Sequence, residues 1–261
     1  MALTAEFLRS THLQTSADDV KRGNSATSRV QAYLSLENVL AKFLPLPEEG
    51  LFLGVASDGL PILLNLKDPR PGALLLLGDS QSGKTDFLQE VARAAALSHD
   101  PGSCRFIVVT SNPQEWEGLK DLPHCLGIWA PDNPGLPDIL LDLSARAQQP
   151  EYAENTLLMV DDLQNLIDLD KNIQDGFLWL LANGAVGHVW TIATLNADLA
   201  PNLPLWVRAF GTRLFGRIGN PELADRLTPM PGANLRTLLS GAQFCIRERN
   251  HWLRFWLPIL K

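Results

Sequence analysis

The 261 residues predict an α/β fold, a mostly parallel central sheet flanked by helices, with a β-hairpin at each end of it. Three observations carry that prediction. Short, continuously apolar runs alternate with helix-length segments from residue 73 onward, as strands buried on both faces require. One of those runs opens directly into a glycine-rich loop and then a helix. Turn residues between apolar runs, Ser57-Asp58-Gly59 early and Glu248-Arg249-Asn250 late, mark the two hairpins. Hydrophobic residues make up 46% and charged residues 20% of the chain, which excludes a disordered or fibrous protein.

Residues 10–28 are polar, small and charged, with little to bury, and read as a flexible lead-in. Val30, Leu34, Val39, Leu40 and Phe43 then fall near helical spacing, and Pro45 ends the run. Residues 1–45 are therefore expected to be a lead-in plus a short amphipathic helix, and 46–261 the main domain. A hairpin is expected at about 51–66. The buried-strand runs are 73–78, 105–111, 125–130, 156–162, 189–196 and 213–218, and a second hairpin closes the chain. No apolar run approaches the ~20 residues that span a bilayer, and the first residues lack a signal-peptide core. Cys104, Cys125 and Cys245 lie far apart without metal spacing, as reduced thiols of a cytoplasmic protein would. The five histidines show no ligand spacing either.

Gly78-Asp79-Ser80-Gln81-Ser82-Gly83-Lys84-Thr85 matches GxxxxGK[ST] in full. In that motif glycines turn amide N–H groups inward around a phosphate, and the following helix N-terminus adds partial positive charge. Lys84 can bridge the β- and γ-phosphates, and the Thr85 hydroxyl can ligate Mg²⁺. With this composition, about 0.004 matches are expected by chance. ATP with Mg²⁺ is the expected ligand pair.

The run Thr156–Val160 ends in Asp161 and Asp162, 77 residues or more beyond Lys84. Such a strand is expected beside the one carrying the phosphate loop. Asp161 can then accept a water of the Mg²⁺ shell, and Asp162 can polarise the attacking water. The alternative is that Asp162 caps the helix that follows. Thr194 and Asn196, closing another buried run, are candidates for contacts to the γ-phosphate and its water, or are turn residues leaving a strand.

Residues 1–200 carry net charge −13 and residues 201–261 net +6, eight of the nine late cations being arginines. The halves either neutralise each other within one molecule or meet across a head-to-tail interface between copies. Trp252 and Trp256 read as core or interface, and Arg247, Arg249 and Arg254 as a solvated face. A small-molecule kinase is disfavoured, because no arginine-rich lid lies between the phosphate loop and the acidic run.

In this order, the motifs resemble those of the FtsK/HerA superfamily of P-loop ATPases over about residues 46–261. Residues 53–66 are similar to the stretch before that family's nucleotide motif, and LLMVDDLQNLI to its acidic strand. TIATLNADL resembles the "ATQR"-type strand end, and Phe210–Phe215 the "PTRIAF"-like segment. Residues 116–124 look closest to the "L..LPH" stretch of type VII secretion ATPase modules. The resemblance implies a RecA-like fold and a head-to-tail ring, usually a hexamer, whose ATP hydrolysis moves double-stranded DNA or a polypeptide. It also implies a neighbour's arginine at each site, for which Arg213 is the first candidate and Arg217 the second. Asp162 stands where the family commonly carries glutamate, and Leu195 where it carries glutamine. A nucleotide-gated assembly protein with little turnover is the alternative function.

Overall fold

The computed structural model describes residues 35–149 and 154–258. The lead-in at 10–28 and the start of the first expected helix lie outside them. That helix is seen from its Ser35 cap, whose hydroxyl accepts from the Asn38 N–H, as α1, Leu36–Leu40.

Both hairpins and all six buried runs form strands. The first hairpin is β1, Gly50–Ala56, against β2, Pro61–Asn65, turned by Asp58-Gly59. The runs that follow are β3 (Leu74–Gly78), β4 (Cys104–Thr110), β5 (Cys125–Trp129), β6 (Asn155–Asp161), β7 (Val189–Asn196) and β8 (Thr212–Phe215). The last hairpin is β9, Gln243–Glu248, with β10, His251–Trp256. All ten join one sheet in the order β2-β1-β10-β9-β8-β3-β7-β6-β4-β5. Pairings among β3 to β8 are parallel; the two hairpins add an antiparallel flank beyond β8.

One expectation is corrected here. β6, the acidic strand, is not beside β3: β7 lies between them, paired to β3 through Leu76–Thr194 and Gly78–Asn196, and to β6 through Val160–Ala193. The RecA-like order therefore brings Thr194 and Asn196 between the phosphate loop and the acids.

Alternation along β3 explains why its run is apolar throughout. Leu74 and Leu76 face one core, Leu75 and Leu77 the other, and all four are fully buried. Each such leucine cut to alanine would cost about 2–5 kcal/mol. On the first face lies α2, Lys84–Ser98, which buries Phe87, Leu88, Val91, Ala92, Ala94 and Ala95. Phe87 stacks edge-on against Phe244 at 5.0 Å and Phe255 at 6.3 Å, so this helix is pinned to the last hairpin. A short α3, Glu117–Lys120, follows on that side. On the opposite face α4, Leu136–Ala147, and α6, Lys171–Asn183, bury Leu136, Leu140, Leu143, Phe177 and Leu180. Three short helices, α5 (Gln164–Ile167), α7 (Pro204–Ala209) and α8 (Pro221–Leu227), complete the chain. No described helix is long and apolar enough to cross a membrane.

Ion pairs gather in the acidic part, as in Arg93–Glu90 at 2.7 Å and Arg146–Glu154 at 2.7 Å. Among the described residues none of Arg208, Arg213, Arg217, Arg226 and Arg236 forms one. Trp252 lies edge-on to Phe215 at 5.8 Å and donates to the Met230 carbonyl, placing it in the packing of the last quarter.

Candidate nucleotide-binding site

The loop Gly78–Thr85 leaves the carboxyl end of β3 and becomes the first turn of α2. Its shape depends on Gly83, which caps the helix at φ +86° and packs against Gly241, where a Cβ would come within 2.5 Å of the Gly241 Cα. Any other residue there meets both a left-handed backbone and a neighbouring main chain. The loop is braced from outside. The Ser240 hydroxyl donates to the Gln81 carbonyl at 2.8 Å, and the Gly241 N–H to the Ser82 carbonyl at 3.1 Å. The Gly219 N–H donates to the Asp79 carboxylate at 2.7 Å, and the Asp79 N–H to the Arg217 carbonyl at 2.9 Å.

Within this frame, the amides of Ser80, Gln81, Gly83, Lys84 and Thr85 donate to no acceptor among the described residues. A row of free N–H groups at a helix start is a ready anion cradle. Lys84 crosses the loop: its ammonium donates to the carbonyls of Asp79 at 2.8 Å and Gly78 at 3.3 Å, and to Asn196 Oδ1 at 2.9 Å. Burial pulls its pKa down, while Asp162, Asp161 and Asp79 push it back up. These are neutral or weakly held acceptors that a triphosphate can replace.

Thr85 points the other way. Its hydroxyl lies 3.0 and 3.1 Å from the two oxygens of Asp161, which is only 8% exposed. The Thr194 hydroxyl reaches Asp161 at 3.3 Å and Thr110 at 3.4 Å. Burial raises the Asp161 pKa, and the bonds from Thr85, Trp116 and Thr194 oppose that rise. A hydroxyl beside one ionisable carboxylate is a hard-oxygen donor set, and it fits Mg²⁺, which takes few protein ligands and completes its shell with phosphates and water. Thr85 and Asp161 would hold that ion.

The remaining expected residues divide. Asn196 reaches the loop through Lys84. Thr194 does not open toward the cradle: it is 1% exposed, and its hydroxyl is shared between Asp161 and the Asp162 N–H, the latter at 2.8 Å. It holds the acid pair rather than a ligand. Asp162 adopts φ +75°, and its carboxylate accepts from the Gln164 N–H at 3.1 Å, so the capping alternative is realised at least in this geometry. Asp162 also bears on Lys84 as its foremost charge partner. Arg213 lies at the amino end of β8, level with Leu75 and away from the loop, with its guanidinium on the Val207 carbonyl at 3.3 Å. Burial, then the nearby Arg208, lowers its pKa. Arg217 emerges exposed where β8 meets the phosphate loop.

Several participants escaped the sequence reading. Asn165 donates to the Asp161 carbonyl at 3.0 Å, and Thr110 closes β4 beside the same residue. Thr110 had a signal, a hydroxyl at the carboxyl end of an apolar run; the brace by Ser240 and Gly241, about 160 residues from the loop, had none.

Residues 51–167 match the FtsK/SpoIIIE family. No curated relative matches the chain at a significant level. The cytoplasmic domain of the Thermomonospora curvata type VII secretion ATPase EccC shares the fold at TM-score 0.64 and 16% identity, over 83% of this chain and 28% of that one. ATPases 2 and 3 of T. curvata EccC, in complex with a signal sequence peptide, give 0.64 and 16% over 85% and 43%. The pCW3 conjugation coupling protein TcpA, with ATPγS, gives 0.66 and 14% over 84% and 68%. The chain thus spans less than half the length of the EccC proteins it is similar to. Residues 51–167 are an FtsK/SpoIIIE-family segment, and the chain around them has the RecA-like fold of the FtsK-type ATPases.

Proposed function

We propose that the protein is a Mg²⁺-dependent ATPase of FtsK/HerA type, a head-to-tail ring, hexameric by family likeness, that couples hydrolysis to moving double-stranded DNA or a polypeptide. The observation that carries this reading is the interlocked set Lys84, Thr85, Asp161 and Asn196 around a loop of unpaired amides. The amides and Lys84 would bind and orient the triphosphate. Thr85 and Asp161 would hold Mg²⁺, which supplies charge neutralisation on the phosphates. Asp162, beside Lys84, is the candidate to accept a proton from the attacking water.

The unpaired arginines of the last quarter support a head-to-tail interface, with Arg213 or Arg217 available to a neighbouring site. Arg217 also lies next to its own phosphate loop. EccC was seen with a signal sequence peptide and TcpA is a coupling protein, so polypeptide and DNA both stay as cargo within this reading. A cytoplasmic protein fits the free thiols.

One observation favours the second reading, an assembly protein gated by nucleotide. The Asp162 carboxylate is already engaged as a cap, and Leu195, wholly buried, offers no amide toward the phosphates. Phosphate release by the intact protein and by Asp162→Asn, with and without double-stranded DNA, separates the two. Turnover that collapses in the variant supports the motor, and DNA stimulation selects the DNA branch. Tight ATP binding with negligible turnover in both proteins supports assembly.

A further inference from the structure

Asp161 sits among donors that do not commit it. The single Thr85 proton faces both carboxylate oxygens at nearly equal distance, 3.0 and 3.1 Å, and Thr194 and Thr110 reach them only at 3.3 and 3.4 Å. A fourth donor stands nearby and is unused. Trp116 is wholly buried, its indole Nε1 has no acceptor among the described residues, and the polar group it bears on is the Asp161 carboxylate. A buried N–H without an acceptor carries its desolvation penalty uncompensated, so closing that bond is favourable whenever the carboxylate turns to meet it.

The segment that carries Trp116 is tied at both ends to the site. It begins at Asn112, whose N–H donates to the Thr110 hydroxyl at 3.1 Å, next to Asp161. Further on, Gln89 of the phosphate-loop helix donates to the Glu115 carbonyl at 2.9 Å. The indole is packed in the same core as Phe87 and Leu88 of that helix. Trp116 therefore cannot wander, and only the carboxylate is left to move.

We propose that Trp116 is a positioning residue for Asp161: its indole N–H closes a hydrogen bond onto the carboxylate when nucleotide and a divalent cation are taken up together, fixing the orientation in which Asp161 serves that cation. This rests on the nucleotide reading above. It assigns a role to the start of the 116–124 stretch that no motif in this chain explains.

The test measures binding of a non-hydrolysable ATP analogue to the full chain, with Mg²⁺ and with EDTA. Trp116→Phe removes the N–H, and benzothienylalanine at 116 removes it while keeping the bicyclic ring, so a packing defect in the first is recognised by the second. The expected result is unchanged affinity in EDTA and a strengthening by Mg²⁺ that is about tenfold smaller in both variants. A merely structural tryptophan would weaken both arms alike. In the wild type, the assigned Trp116 indole N–H resonance is expected to move downfield with Mg²⁺ and analogue together, and not with analogue in EDTA. Equal Mg²⁺ strengthening in wild type and variants, or a resonance that stays put, overturns the proposal and leaves nucleotide binding intact. Absence of analogue binding to the wild type in either condition overturns the nucleotide reading itself.

Discussion

The two sides of the phosphate loop are built to different standards. On the Thr85 side, Asp161 is buried and met by three hydroxyls, and the backbone around it is held by Asn165 and by the β6–β7 pairing. On the Asp162 side, the carboxylate is spent on a helix cap, the backbone is in a left-handed turn, and the next strand presents Leu195 instead of an amide. The first side is what holding a metal–nucleotide pair demands, and the second is what fast turnover would have to improve. Binding and hydrolysis are thus separable in this fold, and a protein can keep one while relaxing the other.

Four experiments break or sharpen that contrast. Lys84→Ala removes a charge that every state of the cradle needs, so ATP affinity should fall about a hundredfold by calorimetry and phosphate release should drop to background. Asp162→Asn keeps the shape of the cap and removes the base; turnover should fall roughly thirty- to hundredfold with ATP affinity nearly unchanged. Asp162→Glu lengthens the side chain and should raise turnover if reach is what limits it, which a steady-state assay reads directly. Gly83→Ala forces a Cβ against Gly241 at φ +86°, and thermal or urea unfolding should report a loss of about 2 kcal/mol or more together with weakened nucleotide binding.

The smallest effect concerns Glu90, on the phosphate-loop helix away from the cradle. Burial raises its pKa above the ordinary 4.5, against the opposing pull of Arg93. The folded state therefore holds that proton to higher pH than the unfolded chain. Its contribution to stability is fully present below about 4.5 and is lost as pH rises through the folded value. Glu90→Gln should flatten that part of the melting-temperature profile; an identical profile in both proteins would show that Arg93 fully neutralises the burial.

The strands were legible because burial on both faces leaves an unmistakable mark, as in Leu74–Leu77, and the turns because Asp58-Gly59 and Arg249-Asn250 carry backbone chemistry of their own. The phosphate loop was legible because it is local. Strand order was not, since nothing in the run Val189–Asn196 announces that it slips between β3 and β6. For the same reason Thr194 read as a ligand contact and proved to be a buried strut. Arg213 illustrates the other limit: a motif places a residue along the chain, but only the register with Leu75 reveals which end of the sheet it occupies. Trp116 looked like one more core aromatic, because burial is a property of the whole ring and its one polar atom leaves no trace in spacing.

The grip of Ser240 and Gly241 on Gln81 and Ser82 has a practical sequel. The nucleotide cradle is not a cassette that can be lifted out with the first two hundred residues. Trimming the chain before its closing hairpin would remove the clamp along with Phe244 and Phe255, leaving the loop free to collapse. Conversely, whatever docks on the arginine-bearing surface of that hairpin pulls on a lever whose short arm is the triphosphate seat.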